Sequence, residues 1–340
     1  MSSEALSDIT PVDAVIAWVD GNDPLFVARR NRWLEHGDDI LRDDIAGEAR
    51  YAECGELLFC LASLLRFAPF LRKIFIVTDR QQPDIQPLLR LLFPDRADDV
   101  AIVDHTVIFR GYEKYLPVFN SLAIETMMWR IPGLAEHFIY LNDDMMLLSP
   151  LTRRDLFTPD GRCVAYVRRV PTLSLRLLRA LKHLKPGHKT FGFKDSMLNG
   201  PMLFGSSVTP MISHTPHALR VSSLRHIYEE RPELIDINCR HRVRHPEQFN
   251  PQVLHHLLSP CEEHDFRGKV LFLKPKQGRH GYLERKLREA DKMPDLLFGC
   301  MNSFDQTTPA ERRMFISWMA PRLFGDDARK VSAFESLFGS

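Results

Sequence analysis

The chain has 340 residues, of which 44% are hydrophobic and 26% are charged, which is the composition of an ordinary globular protein. Its 45 basic and 44 acidic residues leave a formal net charge of +1, which excludes the global positive charge of a typical nucleic-acid-binding protein. The length is sufficient for one large domain with insertions or for two modest domains.

The sequence shows no signal peptide and no apolar segment long enough for membrane insertion. The first eight residues have neither the basic nor the apolar region of a signal peptide, and no apolar run approaches the ~20 residues that span a bilayer. The six cysteines are scattered, which favours free thiols in a reducing compartment. We therefore expect a cytoplasmic protein, with peripheral contact at the cytoplasmic face of the inner membrane left open.

Apolar segments alternate with segments of helical periodicity in the first 145 residues. Strands are predicted at 13–19, 73–77, 100–103 and 138–141, and helices at 56–65 and from about 120 to 130. This alternation predicts an α/β fold of the Rossmann-like or GT-A-like type, in which helices cover both faces of a mainly parallel sheet.

Each predicted strand is followed by an aspartate, in chain order Asp20, Asp79, Asp104 and Asp143. A single aspartate there is more typical of turn chemistry. Ligands of parallel sheets bind beyond the carboxyl ends of the strands, however, and four acids at one edge predict a carboxylate-lined crevice for a hard divalent cation.

The strongest local feature is the triplet Asn142-Asp143-Asp144 after an apolar strand. Two adjacent acids at a strand end can hold Mg²⁺ or Mn²⁺ against a substrate diphosphate. Asp143 and Asp144 are therefore the candidate metal ligands, whereas Asn142 could be a ligand or a cap. Alone, the triplet also suits an ordinary metal-dependent glycosyltransferase.

The first strand ends in Trp18-Val19-Asp20-Gly21-Asn22. The first turn after a strand of such a fold often contacts a nucleotide, so Trp18, Asp20, Gly21 and Asn22 are candidates for base, ribose or metal contacts. The alternative is a simple turn with Trp18 in the core.

His214 and His217 stand three residues apart, and Arg242 and Arg244 lie further along the chain. Too few other ligands lie nearby for a zinc site, but a neutral histidine near a phosphate could act as a general base. Arginine suits bidentate phosphate contacts. The alternatives are structural histidines and surface arginines.

Residues 151–200 combine basic residues with leucines at helical, amphipathic spacing. They predict a helical insertion, either a solvated helix face or a lid over phosphates or an anionic acceptor. Residues 285–340 predict helices packed on the core. We expect one catalytic domain over residues 1–340, without a freely hinged module.

Several segments together resemble the Stealth proteins, which are sugar-1-phosphate transferases of capsule synthesis related to the animal GlcNAc-1-phosphotransferase. Residues 12–24 resemble the first conserved region of that family, 56–83 the second, 120–145 the third and 214–217 the fourth, and the likeness continues at 242–247 and 300–302. The segments occur in the family's order over most of the chain.

The resemblance implies transfer of a hexose- or N-acetylhexosamine-1-phosphate from a UDP-sugar to a saccharide hydroxyl, which forms a phosphodiester and releases UMP. The metal would be Mg²⁺ or Mn²⁺ on Asp143 and Asp144, and the general base His217 or Asp20. The implied catalytic residues are Asp20, Asp144, His217 and Arg244. The implied binding residues are Trp18, Gly21, Asn22, Asp79, Gln81, Asn120, Ser121, His214 and Arg242.

The sequence departs from the family at positions where arginine is usual. Leu58 and Ala62 replace both arginines of the second region, Arg80 replaces a glycine, and Gln248 stands where aspartate is common. Arg50, Arg66 or Arg80 could supply the missing charge. The lost arginines keep open a non-catalytic binding protein of capsule assembly, and the acidic pair keeps open a glycosyltransferase that releases UDP.

Overall fold

The computed structural model describes residues 10–36, 54–184, 192–276 and 278–339. The strands are β1 Val12–Ala17, β2 Leu71–Thr78, β3 Val100–Asp104, β4 His137–Asn142, β5 Met145–Leu147, β6 Cys163–Pro171, β7 Val208–Ile212, β8 His217–Arg220, β9 Cys261–His264, β10 Val270–Leu273 and β11 Phe298–Met301. The helices are α1 Pro24–His36, α2 Glu56–Phe67, α3 Gln86–Leu92, α4 His105–Ile108, α5 Ser121–Met127, α6 Thr172–His183, α7 Phe193–Leu203, α8 Val221–Glu230, α9 Glu233–Cys239, α10 Pro251–Leu258, α11 Tyr282–Ala290, α12 Pro309–Phe324 and α13 Ala328–Ser336.

The central sheet has five strands in the order β3-β2-β1-β4-β8. Strands β1 to β4 are parallel to their neighbours, and β8 pairs with β4 in the antiparallel direction. The four strands predicted from the sequence are therefore confirmed, with small shifts at their ends, and so is the mainly parallel α/β fold. Their carboxyl ends share one edge of the sheet.

Alternation along the strands sends successive side chains to opposite faces of this sheet. On one face Ile16 and Ile76 belong to an apolar cluster that includes residues of α2, α12 and α13. On the other face Val15 and Val77 join a cluster with residues of α5, α8 and α9. Both faces are therefore covered by helices, as the sequence predicts.

Two smaller sheets, β10-β11-β5 and β7-β6-β9, accompany the central one. The segment 151–200, predicted as a helical insertion, contains strand β6 as well as α6 and most of α7. Helices α12 and α13, near the end of the chain, contact α2. The ring of Phe59 on α2 contacts the rings of Phe315 on α12 and Phe334 on α13. Within the described ranges, no helix is both long and apolar enough to cross a membrane.

The acidic turn is positioned by the second sheet. Strand β5 follows the turn directly and pairs with β11, which puts Cys300 opposite Met145. Gly299 allows this close approach, because a Cβ there would lie 3.1 Å from side-chain atoms of Met146 and Leu148. The pairing brings the end of β11 beside the turn.

Candidate active site

A cleft of about 520 Å³ opens at the carboxyl ends of β1 and β4. This is the edge at which ligands of parallel sheets bind. The predicted site residues that line it are Trp18, Asn120, Ser121, Asp143, Asp144, His214 and Arg244. The structure therefore gathers residues from both halves of the chain around one cleft.

Asp143 and Asp144 form the two-residue turn between β4 and β5. The carboxylate Oδ2 of Asp144 accepts a weak hydrogen bond from the thiol Cys300 Sγ at 3.3 Å and a long one from Asn302 Nδ2 at 3.5 Å. Its Oδ1 is buried and has no hydrogen-bond partner. A buried carboxylate oxygen is costly unless a cation compensates it. The turn therefore fits a divalent cation.

His214 lies beside Asp144, and ligand atoms of His214, Asp144 and Cys300 lie within 4.8 Å of one another. The imidazole sits between the rings of Phe193 and Phe272, whose centroids are 5.3 and 4.9 Å away. Burial lowers the pKa of His214 below its ordinary 6.5, against the opposing charge of Asp144. Its Nδ1 is buried without a hydrogen-bond partner. The ring is therefore neutral near pH 7 and available to a ligand.

In the described part of the chain, the cleft is lined by one arginine, Arg244, and one lysine, Lys274. Arg244 donates from Nη2 to Ser121 Oγ at 3.2 Å. Its positive charge lowers the pKa of both Glu125 and His214, which line the same cleft. The cleft thus combines an acidic turn with two positive charges, a combination that suits a bound diphosphate.

Asn120 caps α5, since its Oδ1 accepts from Ala123 N at 3.0 Å. The same oxygen accepts from Gln248 Nε2 at 3.1 Å, and Asn120 Nδ2 donates to His241 O at 2.8 Å. Asn120 therefore fastens the loop that carries Arg244 to the start of α5. Gln248 supplies an amide donor that an aspartate at this position would lack.

Glu125 was not singled out from the sequence, yet it lines the cleft. Burial raises its pKa, and its Oε1 lies 3.1 Å from Tyr140 Oη, which in turn donates to Asn142 Oδ1 at 2.6 Å. Because a phenol has one proton, a protonated Glu125 completes this chain of hydrogen bonds. The signal in the sequence is that Glu125 is the one charged residue of α5.

The loop after β1 is closed by Gln81. Its Oε1 accepts from Asp20 N at 2.9 Å, and its Nε2 donates to Asp20 O at 2.8 Å and to Asp23 Oδ2 at 2.9 Å. Asp20 Oδ1 accepts from Asn22 N at 2.8 Å. The wall of the cleft does not include Asp20, Gly21, Asn22 or Gln81. Trp18, which directly follows β1, does line the cleft.

The expected crevice lined by four aspartates is divided in the structure. Asp79 lines a second cavity of about 410 Å³ and accepts from Arg29 Nη2 at 3.0 Å. Asp104 caps α4 through Thr106 N at 2.9 Å and also accepts from Arg80 N. These two carboxylates are occupied by protein donors, and the expectation of one shared crevice is wrong.

His217 and Arg242 do not reach the cleft. His217 is buried on β8, 6.0 Å from the ring of His256, and burial holds its pKa well below the ordinary value. The guanidinium of Arg242 donates to Lys114 O at 2.7 Å and lies 4.9 Å from the centroid of the Trp33 ring. The structure places both side chains in supporting positions.

Comparison with known families tests the resemblance. Conserved region 1 of the Stealth proteins matches residues 10–38, and conserved region 2 matches residues 50–165. The chain belongs to the Stealth family. Because region 2 extends to 165, the assignment of residues 120–145 to a third region is wrong, and the acidic turn belongs to region 2.

Curated relatives of this Stealth protein are named as polysaccharide phosphotransferases. It is 34% identical over 277 residues to an exopolysaccharide phosphotransferase of Streptomyces coelicolor, which covers 81% of this chain and 43% of that protein. It is 29% identical to receptor polysaccharide phosphotransferase WefC of Streptococcus gordonii, over 71% of this chain and 76% of that protein. The chain thus spans less than half the length of the Streptomyces relative.

Among solved structures, mouse xyloside xylosyltransferase 1 matches with a TM-score of 0.38 and 11% identity, over 88% of this chain and 100% of that one. Galactosyltransferase LgtC matches with a TM-score of 0.42 and 10% identity, over 90% and 95%. At these scores neither likeness carries an argument about function.

The two positions at which the resemblance predicts arginine, Leu58 and Ala62, lie on α2. Ala62 is fully buried and Leu58 is half-buried. Of the arginines that could compensate, Arg66 donates to Leu323 O at 2.7 Å, Arg80 lines the second cavity, and Arg50 lies outside the described residues. Neither described candidate replaces the missing charge in the main cleft.

Proposed function

We propose that this chain transfers a hexose- or N-acetylhexosamine-1-phosphate from a UDP-sugar to a saccharide hydroxyl in surface polysaccharide synthesis, as one catalytic domain. We further propose that the reaction takes place in the cytoplasm. The observation that carries the proposal is the buried, unpartnered Oδ1 of Asp144 in a cleft that also holds Arg244 and Lys274. The names of the relatives support the same reaction class.

Asp143 and Asp144 would hold Mg²⁺ or Mn²⁺, which when bound neutralises charge on the diphosphate of the donor. Arg244 offers a planar fork that can bind two phosphate oxygens, and Lys274 offers a mobile point charge. Trp18 supplies an apolar wall at the end of β1. Together these side chains orient the β-phosphate toward the acceptor.

His214 is the general base that the geometry favours, in place of His217 or Asp20. Its neutral ring lies beside the acidic turn, whereas His217 is buried elsewhere and Asp20 stays in its own loop. The acceptor oxygen forms a bond to the β-phosphorus as its proton passes to His214. The bond from that phosphorus to the bridging oxygen breaks, and UMP leaves with the bridging oxygen.

The by-product tests this function. Incubation with a panel of UDP-sugars, Mg²⁺ and capsule oligosaccharides is expected to release UMP and to give a phosphodiester signal in the ³¹P spectrum. Release of UDP with no phosphodiester would assign the chain to the glycosyltransferases instead. Binding of a UDP-sugar without turnover across the panel would support the non-catalytic alternative.

Two histidine variants separate the catalytic position from the structural one. His214→Gln is expected to lower kcat by ~10²–10⁴-fold, the usual contribution of a general base. His217→Gln is expected to keep kcat near that of the wild type but to lower the thermal midpoint, because the side chain is buried. Steady-state UMP release and a melting curve of each variant suffice. Loss of kcat in a stably folded His217→Gln variant would reverse the assignment.

A further inference from the structure

Helix α6 exposes a row of leucines to solvent. The side chains of Leu173, Leu177, Leu181 and Leu184 are 63%, 57%, 60% and 79% exposed. Their spacing of four, four and three residues places them on one side of a helix. Surface helices normally turn such a stripe toward the core. In α6 the leucine stripe faces solvent and not the core.

The opposite side of α6 attaches it to the protein through polar contacts. Thr172 is buried, and its Oγ1 lies 3.0 Å from Thr209 Oγ1. Arg179 donates from Nη1 to Asn199 Oδ1 on α7 at 2.9 Å. These contacts hold the helix with its leucines facing outward, so the exposure follows from the fold.

The leucines form a patch and are not scattered single residues. Of thirteen large apolar side chains that are exposed in the described part of the chain, five lie between 173 and 184. Met202 and Leu203 on the neighbouring α7 are also exposed, but Met202 lies on the other side of α6, where Arg179 contacts it at 3.2 Å. Contiguous exposed patches of this kind mark interaction surfaces, whereas scattered exposed leucines do not.

The charged side chains of the segment that carries this patch are basic. No acidic residue occurs between Asp160 and Asp195, although the chain as a whole is nearly neutral. Arg176 and Lys182 are exposed on α6 itself, outside the leucine stripe. A helix with leucines on one side, cations beside them and no acid is typical of helices that lie in an anionic membrane surface.

We propose that α6 is an interfacial helix that docks the protein on an anionic bilayer. Leu173, Leu177 and Leu181 would enter the boundary of the acyl chains, while Arg176 and Lys182 contact lipid phosphates. Helix α7 connects this surface to the cleft, because Phe193 at its start lines the cleft and Asn199 binds α6. Docking would therefore hold the cleft beside the membrane, where a membrane-borne acceptor can reach it.

Vesicle co-sedimentation tests the proposal with the full chain. Vesicles that contain phosphatidylglycerol are expected to bind the wild type, and pure phosphatidylcholine vesicles to bind it weakly. The triple variant Leu173→Ser, Leu177→Ser, Leu181→Ser is expected to bind the anionic vesicles at least about tenfold more weakly. Arg176→Gln with Lys182→Gln is expected to remove the preference for anionic lipid and its sensitivity to salt.

The matched control changes Leu91 and Leu258, which are exposed by 58% and 40% but lie outside α6. Leu91→Ser with Leu258→Ser is expected to leave vesicle binding unchanged. All variants should keep the wild-type melting curve and, with a soluble acceptor, the wild-type rate of UMP release, so that docking is judged apart from catalysis.

Equal binding of the wild type to both kinds of vesicle would overturn the proposal, as would unchanged binding of the triple leucine variant. A wild-type dimer that the leucine variant converts to a monomer, without any binding to vesicles, would show instead that this face joins two copies of the chain. Analytical ultracentrifugation of the same samples distinguishes that outcome.

Discussion

Asp144→Asn is expected to lower kcat by ~10²–10³-fold, the usual loss when one preorganised electrostatic contact to the reacting group is removed. The carboxylate has one buried oxygen without a partner and a second oxygen with only long contacts to Cys300 and Asn302. An amide of the same shape keeps those contacts but cannot supply negative charge to a cation. The effect should therefore appear in catalysis and metal binding.

Metal binding gives this prediction a readout that is independent of turnover. A ligand of the folded state at a hundred times its Kd stabilises that state by ~2.7 kcal/mol. Mg²⁺ or Mn²⁺ should therefore raise the thermal midpoint of the wild type and leave that of Asp144→Asn unchanged. Without metal, the variant should be no less stable than the wild type, because the substitution removes a poorly compensated buried charge.

Asp104→Asn is the matched control, since Asp104 also follows a strand at the same edge of the sheet. Its side chain caps α4 through Thr106, and asparagine is an equally good cap. This variant should keep its kcat and its stabilisation by metal. A wild-type response to metal in Asp144→Asn would remove the acidic turn from the metal site, and the proposed role of Asp144 with it.

The sheet could be predicted because its determinants are local. Strands buried on both faces contain continuous apolar runs, and β1, β2 and β4 contain such runs at 14–17, 74–77 and 138–141. The position of the acidic turn at the carboxyl edge of the sheet then follows from a general rule of parallel sheets. These parts of the fold need no knowledge of distant contacts.

Which acids remain available to a ligand depends on distant contacts, and the sequence does not show them. Asp79 is paired with Arg29, which lies 50 residues earlier in the chain. His214 and His217 are three residues apart, yet one lies beside Asp144 and the other lies inside β8, where its partner across the sheet is Tyr140. Proximity along the chain therefore gave no basis for choosing between the two histidines.

The orientation of helix α6 also depends on distant contacts that the sequence does not show. Its leucine spacing predicts an amphipathic helix, but spacing alone does not tell which side faces the protein. Thr172 contacts β7 and Arg179 contacts α7, and these contacts fix the orientation of α6. The partner residues are distant from α6 in the sequence. The exposed leucine row is thus a property of the tertiary structure.

Arg244→Ala is expected to lower kcat/KM by ~10²–10³-fold, whereas Arg242→Ala should have little effect on it. Both arginines belong to one short segment, and the sequence treats them alike. In the structure Arg244 lines the cleft, and Arg242 packs against Trp33 and binds Lys114 O. Only the first can contact a phosphate of the donor, so the pair compares two neighbouring charges of the same type.

The thermal stability of the two alanine variants should rank in the reverse order, with Arg242→Ala the less stable. Arg242→Ala removes a cation–π contact of ~1 kcal/mol at a half-exposed site together with a hydrogen bond, so its thermal midpoint should fall. Arg244→Lys should recover part of the lost kcat/KM, because a lysine restores the charge but not the planar fork. Equal loss of UMP release in the Arg242→Ala and Arg244→Ala variants, with both proteins folded, would contradict the placement of the donor phosphates at Arg244.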